Sequence, residues 1–183
     1  MHRGQLITCL IGAATLMGAV ASAQQAVQAP PAAPSGLDAI PDKMPFSNSY
    51  GAPIAAARAQ ALIQAAVAEA NKRGRAFNIA VVDSGANLVA FLRMDGAQLA
   101  SIAVSEHKAR TAVKFRRPTR AIEDAVQKNG YTYMLTLDDV VASRGGIPLI
   151  EDGKIIGGIG CSGGTGSQDE LICTTAAALI NKP

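Results

Sequence analysis

Apolar residues recur at helical spacing in IAAARAQALIQAAVAEANKRG. Leu62, Ile63, Ala66, Val67 and Ala70 share one stripe, and Gly74 stands where a helix would stop. The pattern then changes. FNIAVVDSGANLVAFLRMDG holds two β-rich runs, residues 77–82 and 88–93, around the turn-forming DSGAN, which predicts a hairpin. AQLASIAVSEHKARTAVKF returns to helical spacing and is stopped by Pro118. Thr119 is placed to cap a third helix, TRAIEDAVQKNG, ending near Gly130. Residues 131–146 carry no readable period. IPLIEDGKIIGGIG predicts a second hairpin around Glu151-Asp152-Gly153, and SQDELICTTAAALINK a closing helix.

That order predicts one α/β (α+β) domain over residues 54–183, an antiparallel sheet built from two hairpins and flanked by helices. Two segments precede it. Arg3, the apolar run LITCLIGAATLMGAV and the small-residue site Ala21-Ser22-Ala23 form a cleavable leader over residues 1–23. The run is too short and too rich in Ala and Gly to read as a membrane span, so no membrane association is expected after cleavage. Residues 24–53 are rich in Pro and Ala and read as an arm or linker. The expected location is outside the cytoplasm, periplasmic or extracellular.

Composition changes this picture little. With no Trp and 4% aromatic residues, the core is expected to be aliphatic. The net charge of +3 carries no global nucleic-acid signature. Cys161 and Cys173 remain after leader removal. An exported protein permits a bridge between them, but the reading favoured by residue type is a pair of buried thiols.

GGIGCSGGTG, residues 157–166, contains G-x-G-x-x-G at Gly158, Gly160 and Gly163. A dinucleotide fingerprint requires a βαβ unit and an acidic residue roughly 20 positions on. Here the preceding strand belongs to a hairpin, and Asn181 stands near that offset. The nucleotide reading is therefore set aside. What remains is an anion-holding loop made of Gly160, Ser162, Gly163, Gly164 and Asp169 at a helix N-terminus, or the same amides capped internally by Ser167 or Asp169.

EHKARTAVKFRRPTR is the other chemical stretch. His107, Thr111 and Phe115 recur at i, i+4 and i+8, Ala100 and Val104 extend the same stripe, and Lys108 sits beside them. His107 is the one histidine beyond the leader, too few for a structural zinc site. Imidazole also ligates haem iron. Arg110, Arg116 and Arg117 are candidates to pair carboxylates. Asp83 reads as an Asx-turn residue and Asp95-Gly96 as an exit turn; Arg93 and Asp95 alternatively face a pocket near the His107 helix.

AVVDSGANLVAFLRMDGAQLASI, KARTAVKFRRPT and GGIPLIEDGKIIGGIGCSGGTGSQDE together resemble the GlcG/HbpS-like family of haem-degrading or extracellular haem-binding proteins. The resemblance spans about residues 50–180. It implies a GlcG-like fold, assembly into homo-oligomers (dimers or octamers) and haem as a cofactor in some members. Thr111, within KARTA, matches the position of a threonine iron ligand, with His107 one turn away as the alternative. The chain departs from one haem-binding branch around Asp139, where DDVVASR lacks a second acid one turn on.

The leading expectation is thus an exported haem-binding protein, with haem degradation as an extension. The porphyrin would rest on Val104, Thr111 or His107 would lie near iron, and Arg110, Arg116 or Arg117 near the propionates. A second reading is an enzyme or binding protein for a small carboxylate or hydroxy acid, with Arg93 and the glycine loop holding the anion and Asp95, Lys108 or His107 as acid–base groups. A third is a non-catalytic assembly module.

Overall fold

The structure, a computed structural model, describes residues 46–181. The segment read as a leader and most of the stretch read as an arm lie outside the described residues. The described residues form five strands, β1 (Ser49–Tyr50), β2 (Asn78–Asp83), β3 (Leu88–Arg93), β4 (Gly146–Glu151) and β5 (Lys154–Ser162). Four α-helices accompany them: α1 (Ala56–Lys72), α2 (Ala100–Lys114), α3 (Thr119–Asn129) and α4 (Gly166–Ala177). The expected α/β domain with two antiparallel hairpins is present.

β5 is the centre of the sheet. It pairs antiparallel with β4 on one side and with β2 on the other, and β2 carries β3 outward. β1, inside the stretch read as an arm, runs parallel to the first residues of β5, pairing Ser49 with Lys154 and Tyr50 with Ile155. The Tyr50 hydroxyl donates to the Val113 carbonyl at 3.1 Å, tying this entry strand to the end of α2. The β4–β5 turn is Asp152-Gly153, both at positive φ (48° and 73°), as two-residue hairpins of this type require.

Side chains alternate across each strand, so the sheet has two packed faces. Ile79, Val81, Leu149, Ile159 and Cys161 face α1 and α4, meeting Leu62, Ile63, Ala66, Ile172 and Ala176 in an aliphatic core. Ala80, Val82 and Ile155 face α2 through Ala109 and Val113. Among the described residues no helix is long and apolar enough to cross a membrane.

The α2 face is unusually close. A Cβ placed on Gly160 would lie 2.0 Å from the Ser105 carbonyl oxygen, and one on Gly158 would lie 2.8 Å from that of Ala109. Four helical residues advance about 6 Å and two strand residues about 6.6 Å, so the two ladders stay in step. The glycines of the G-x-G spacing therefore serve helix–sheet approach.

Two expectations are corrected. Thr119 does not cap α3: Pro118 holds that position, and Thr119 is the first helical residue. Its buried hydroxyl instead accepts the Gly146 amide at 2.9 Å, which fixes the start of β4. Cys161 and Cys173 are not separate thiols. They form a disulfide with Cα atoms 5.6 Å apart, because β5 and α4 are packed face to face at that level. The bridge closes a short loop. Replacing both cysteines with alanine is expected to cost about 3 kcal/mol, mostly through a freer unfolded chain, and to lower the guanidinium midpoint accordingly. An unchanged midpoint would mean that the bridge adds nothing.

Candidate functional site

The functional candidates converge on α2, but the helix sorts them onto different sides. Lys108 is 1% exposed. Its ammonium donates to Asp169 Oδ2 at 2.6 Å and to the Cys161 carbonyl at 3.4 Å. Asp169 in turn accepts the Gly163 and Gly164 amides through Oδ1, at 3.2 and 2.9 Å. Gly145 makes room for this pair: its φ of +117° suits glycine, and a Cβ there would lie 2.7 Å from that of Asp169.

The glycine loop is thus filled from within. Thr165 and Gln168 add a reciprocal capping box at the start of α4. Ser162 donates to Ser101 Oγ at 3.0 Å, and Gln98 Nε2 donates to the same oxygen at 2.7 Å. Gly160 lies under α2. Of the two readings of this loop, the structure contains the internal cap, with Asp169 as the anion.

Thr111 is fully buried. Its hydroxyl donates to the Asp139 carbonyl at 2.5 Å and accepts the Val141 amide at 3.1 Å. Lys114 forms an ion pair with the Asp139 carboxylate. That hydrogen bond, reinforced by the Lys114 charge, holds the Asp139 carboxyl below the ordinary range, with Arg110 and His107 acting in the same direction. Residues 138–141 are therefore clamped across α2, with Asp139 at a φ of 60°. The clamp covers Thr111 and leaves His107 exposed one turn earlier.

Around His107 lie exposed Ala103, half-buried Val104, and Arg110, which pairs with Glu106 at 3.1 Å. Arg116 and Arg117 occupy the corner after α2. Arg117 is already engaged, its guanidinium 4.6 Å from the centre of the Phe46 ring and its Nε donating to the Phe115 carbonyl. Burial lowers the Arg117 pKa, and Arg116 adds to that effect.

Arg93, the last residue of β3, and Asp95, just beyond it, are exposed, and neither makes an ion pair among the described residues. Asp83 is an Asx-turn residue, as its type suggests, accepting the Gly85 and Asn87 amides at 2.8 and 2.9 Å. The structure does not join Arg93 and Asp95 to buried Lys108.

Sequence reasoning missed the segment from Tyr131 to Asp139. It includes a 3₁₀ turn, Thr132–Thr136, and exposes Tyr133, Leu135 and Leu137. Consecutive odd-numbered apolar residues were the available signal. It also missed the links that set the rest of this region: Glu123 accepts the Arg144 amide at 2.6 Å and its guanidinium at 2.8 Å. Burial pushes the Glu123 carboxyl up, but these bonds outweigh it and bring it below its usual value.

Comparison with known proteins places the chain. Residues 54–178 match the family described as haem degrading protein HbpS-like. Protein GlcG of Escherichia coli is 41% identical over 124 residues, covering 68% of this chain and 92% of GlcG. The solved PduOC:haem complex is similar with a TM-score of 0.66 at 34% identity, covering 70% of this chain and 96% of that one. A double mutant of HbpS from Streptomyces reticuli also gives 0.66, at 29% identity over 78% of this chain and 98% of its own. With its glycine-seated helix, its two hairpins and a match across most of its length, the chain belongs to the HbpS-like family.

Proposed function

We propose that this protein binds haem on the outer face of α2, with His107 as the iron ligand. The observation that carries the choice is the division of labour on that helix. The Thr111 hydroxyl is spent on Asp139 and Val141, whereas the His107 imidazole faces solvent. The residues present fit the group. A neutral imidazole is a good donor to haem iron, Ala103 and Val104 offer small apolar contacts, and Arg110 stands one turn on for a propionate. The likeness to a protein solved with haem supports the ligand class.

Bound haem would supply redox-active iron, and degradation of the porphyrin is an extension that the family description supports. The chain's own part is to ligate, orient and limit access. The Cys161–Cys173 bridge supports the exported, oxidising setting expected from the leader. Homo-oligomer formation remains part of the proposal through the family resemblance. The small-acid reading draws less support: Lys108 is paired and buried, and the loop amides already hold a carboxylate.

Titration of the purified protein with haemin should give a saturable Soret shift at one haem per chain. His107→Ala should weaken binding at least about tenfold, since losing even a group that only supports a metal ligand costs that much. Thr111→Val should keep the Soret signature while destabilising the clamped segment. A non-saturating shift would overturn haem binding. A normal titration in His107→Ala together with loss in Thr111→Val would overturn the ligand assignment.

A further inference from the structure

The sheet is closed at one edge and open at the other. At the β4 edge, Pro148 interrupts the backbone donors and the Asn181 amide caps the strand: its Oδ1 accepts the Ile150 amide at 2.7 Å and its Nδ2 donates to the Pro148 carbonyl at 2.9 Å. Proline and a covered backbone both protect an edge against strand addition. β3, at the other edge, pairs with β2 alone. Its residues Leu88–Leu92 include no charge and no proline, and among the described residues no side chain caps its outer backbone groups.

The phase of that edge can be read. Met94 donates its amide to the Phe77 carbonyl at 2.9 Å, and antiparallel pairs alternate, so Leu92 and Ala90 turn their backbone groups to β2 while Phe91 and Arg93 turn theirs outward. The register shift in the β2–β3 pair lies at the start of β3, which leaves residues 90–93 regular. Beside them runs a groove of 620 Å³ between β3 and α1. Its α1 wall is Ala57, Gln60, Ala61 and Gln64, an exposed stripe at helical spacing without a charge. Arg93 is exposed beside it and has no ion-pair partner among the described residues.

We propose that a second copy of this chain adds to the edge of β3, antiparallel, about a two-fold axis at Leu92. This rests on the homo-oligomer reading above and goes further by naming the surface and register. A strand that pairs with itself must be symmetric about one point. Centring on Leu92 sets Phe91 opposite the partner's Arg93, and Arg93 opposite the partner's Phe91, so both outward residues exchange backbone hydrogen bonds. Each unpaired guanidinium then gains an aromatic face. Centring on Arg93 would oppose two like charges, and centring on Phe91 would spend Arg93 on Val89 at the irregular end. The axis stands normal to the sheet, so the two α1 stripes flank the seam on one face. Both grooves close there without burying a charge.

The test uses the full chain carrying Cys9→Ser, so that an added cysteine is the one thiol outside the Cys161–Cys173 bridge. At the axis, Leu92 and its symmetry mate form a non-hydrogen-bonded pair with Cα atoms about 4.5 Å apart, within disulfide reach. Mild oxidation of Leu92→Cys should therefore give mainly covalent dimer, and that of exposed Asp95→Cys, far from its own mate, little. Arg93→Glu loses two symmetry-related contacts and should raise the dissociation constant measured by sedimentation at least about tenfold. Adding Phe91→Lys, which sets a cation opposite each new carboxylate, should recover association. Monomeric native protein would overturn this inference and the homo-oligomer reading together. An assembled protein in which Leu92→Cys cross-links no better than Asp95→Cys, or in which Arg93→Glu leaves association unchanged, would overturn this inference alone.

Discussion

Lys108→Met should lose about 3–5 kcal/mol of stability, because it strands the Asp169 carboxylate in a buried site without its cation. The melting temperature should fall by on the order of 10–20 °C for a domain of this size. Exposed ion pairs such as Arg58–Glu151, whose side chains are 43% and 42% accessible, set the contrast: Arg58→Ala should cost no more than about 1 kcal/mol. Adding Asp169→Asn to Lys108→Met should recover part of the loss, since the amide keeps an oxygen for the Gly163 and Gly164 amides but no longer buries a charge. A Lys108→Met protein within about 1 kcal/mol of native would show that Asp169 finds water or another partner.

Gly160→Ala should be at least as damaging, though only one methyl group is added. That methyl would meet the Ser105 carbonyl oxygen at 2.0 Å and the Ala109 amide nitrogen at 2.6 Å. Both are helix backbone, so no side chain can swing aside. α2 must lift off the sheet along with Ala109, Val113 and the Lys108 pair. The loss expected is above about 4 kcal/mol, beyond ordinary overpacking, and little folded protein should accumulate. Gly153→Ala is the control. It has open space and a φ of +73°, so it should cost only about 1–2 kcal/mol for the left-handed backbone. Urea unfolding of the two variants would compare them directly. Similar losses would mean that the close approach of α2 is not what requires glycine at position 160.

These two sites show where the sequence was informative and where it was not. Local period was enough for both hairpins and for all four α-helices, since each is written into neighbouring residues. Asp83 and Gly130 carried their turn and cap roles openly. Lys108 did not. Its partner is 61 residues away, and the room for both comes from Gly145, in a stretch with no period of its own. Thr111 was visible as a candidate, but its true neighbours, the carbonyl of Asp139 and the amide of Val141, are backbone groups that no residue type announces. The same limit applies to residues 131–145, whose path is set by side chains on α2 and α3 rather than by their own pattern. His107, Thr111 and Lys108 were adjacent in sequence terms. Only the packed helix separates an exposed imidazole from a buried clamp and a buried ion pair.

The glycine-rich centre of the sheet has a consequence for how the chain acquires its structure. β5 holds Gly157, Gly158 and Gly160 and so has weak intrinsic preference for a strand, yet it joins β4 to β2 and receives α2. Its order is imposed by neighbours, one of which, β2, is made much earlier in the chain. Contacts of such long sequence separation are slow to form, because a large loop must close before they return any free energy. The β2–β3 hairpin and α2 are therefore expected to exist early as a partial structure, with closure delayed until the last quarter of the chain is available. A nascent chain would stay open over most of its length, and would lock only when its final strand arrives.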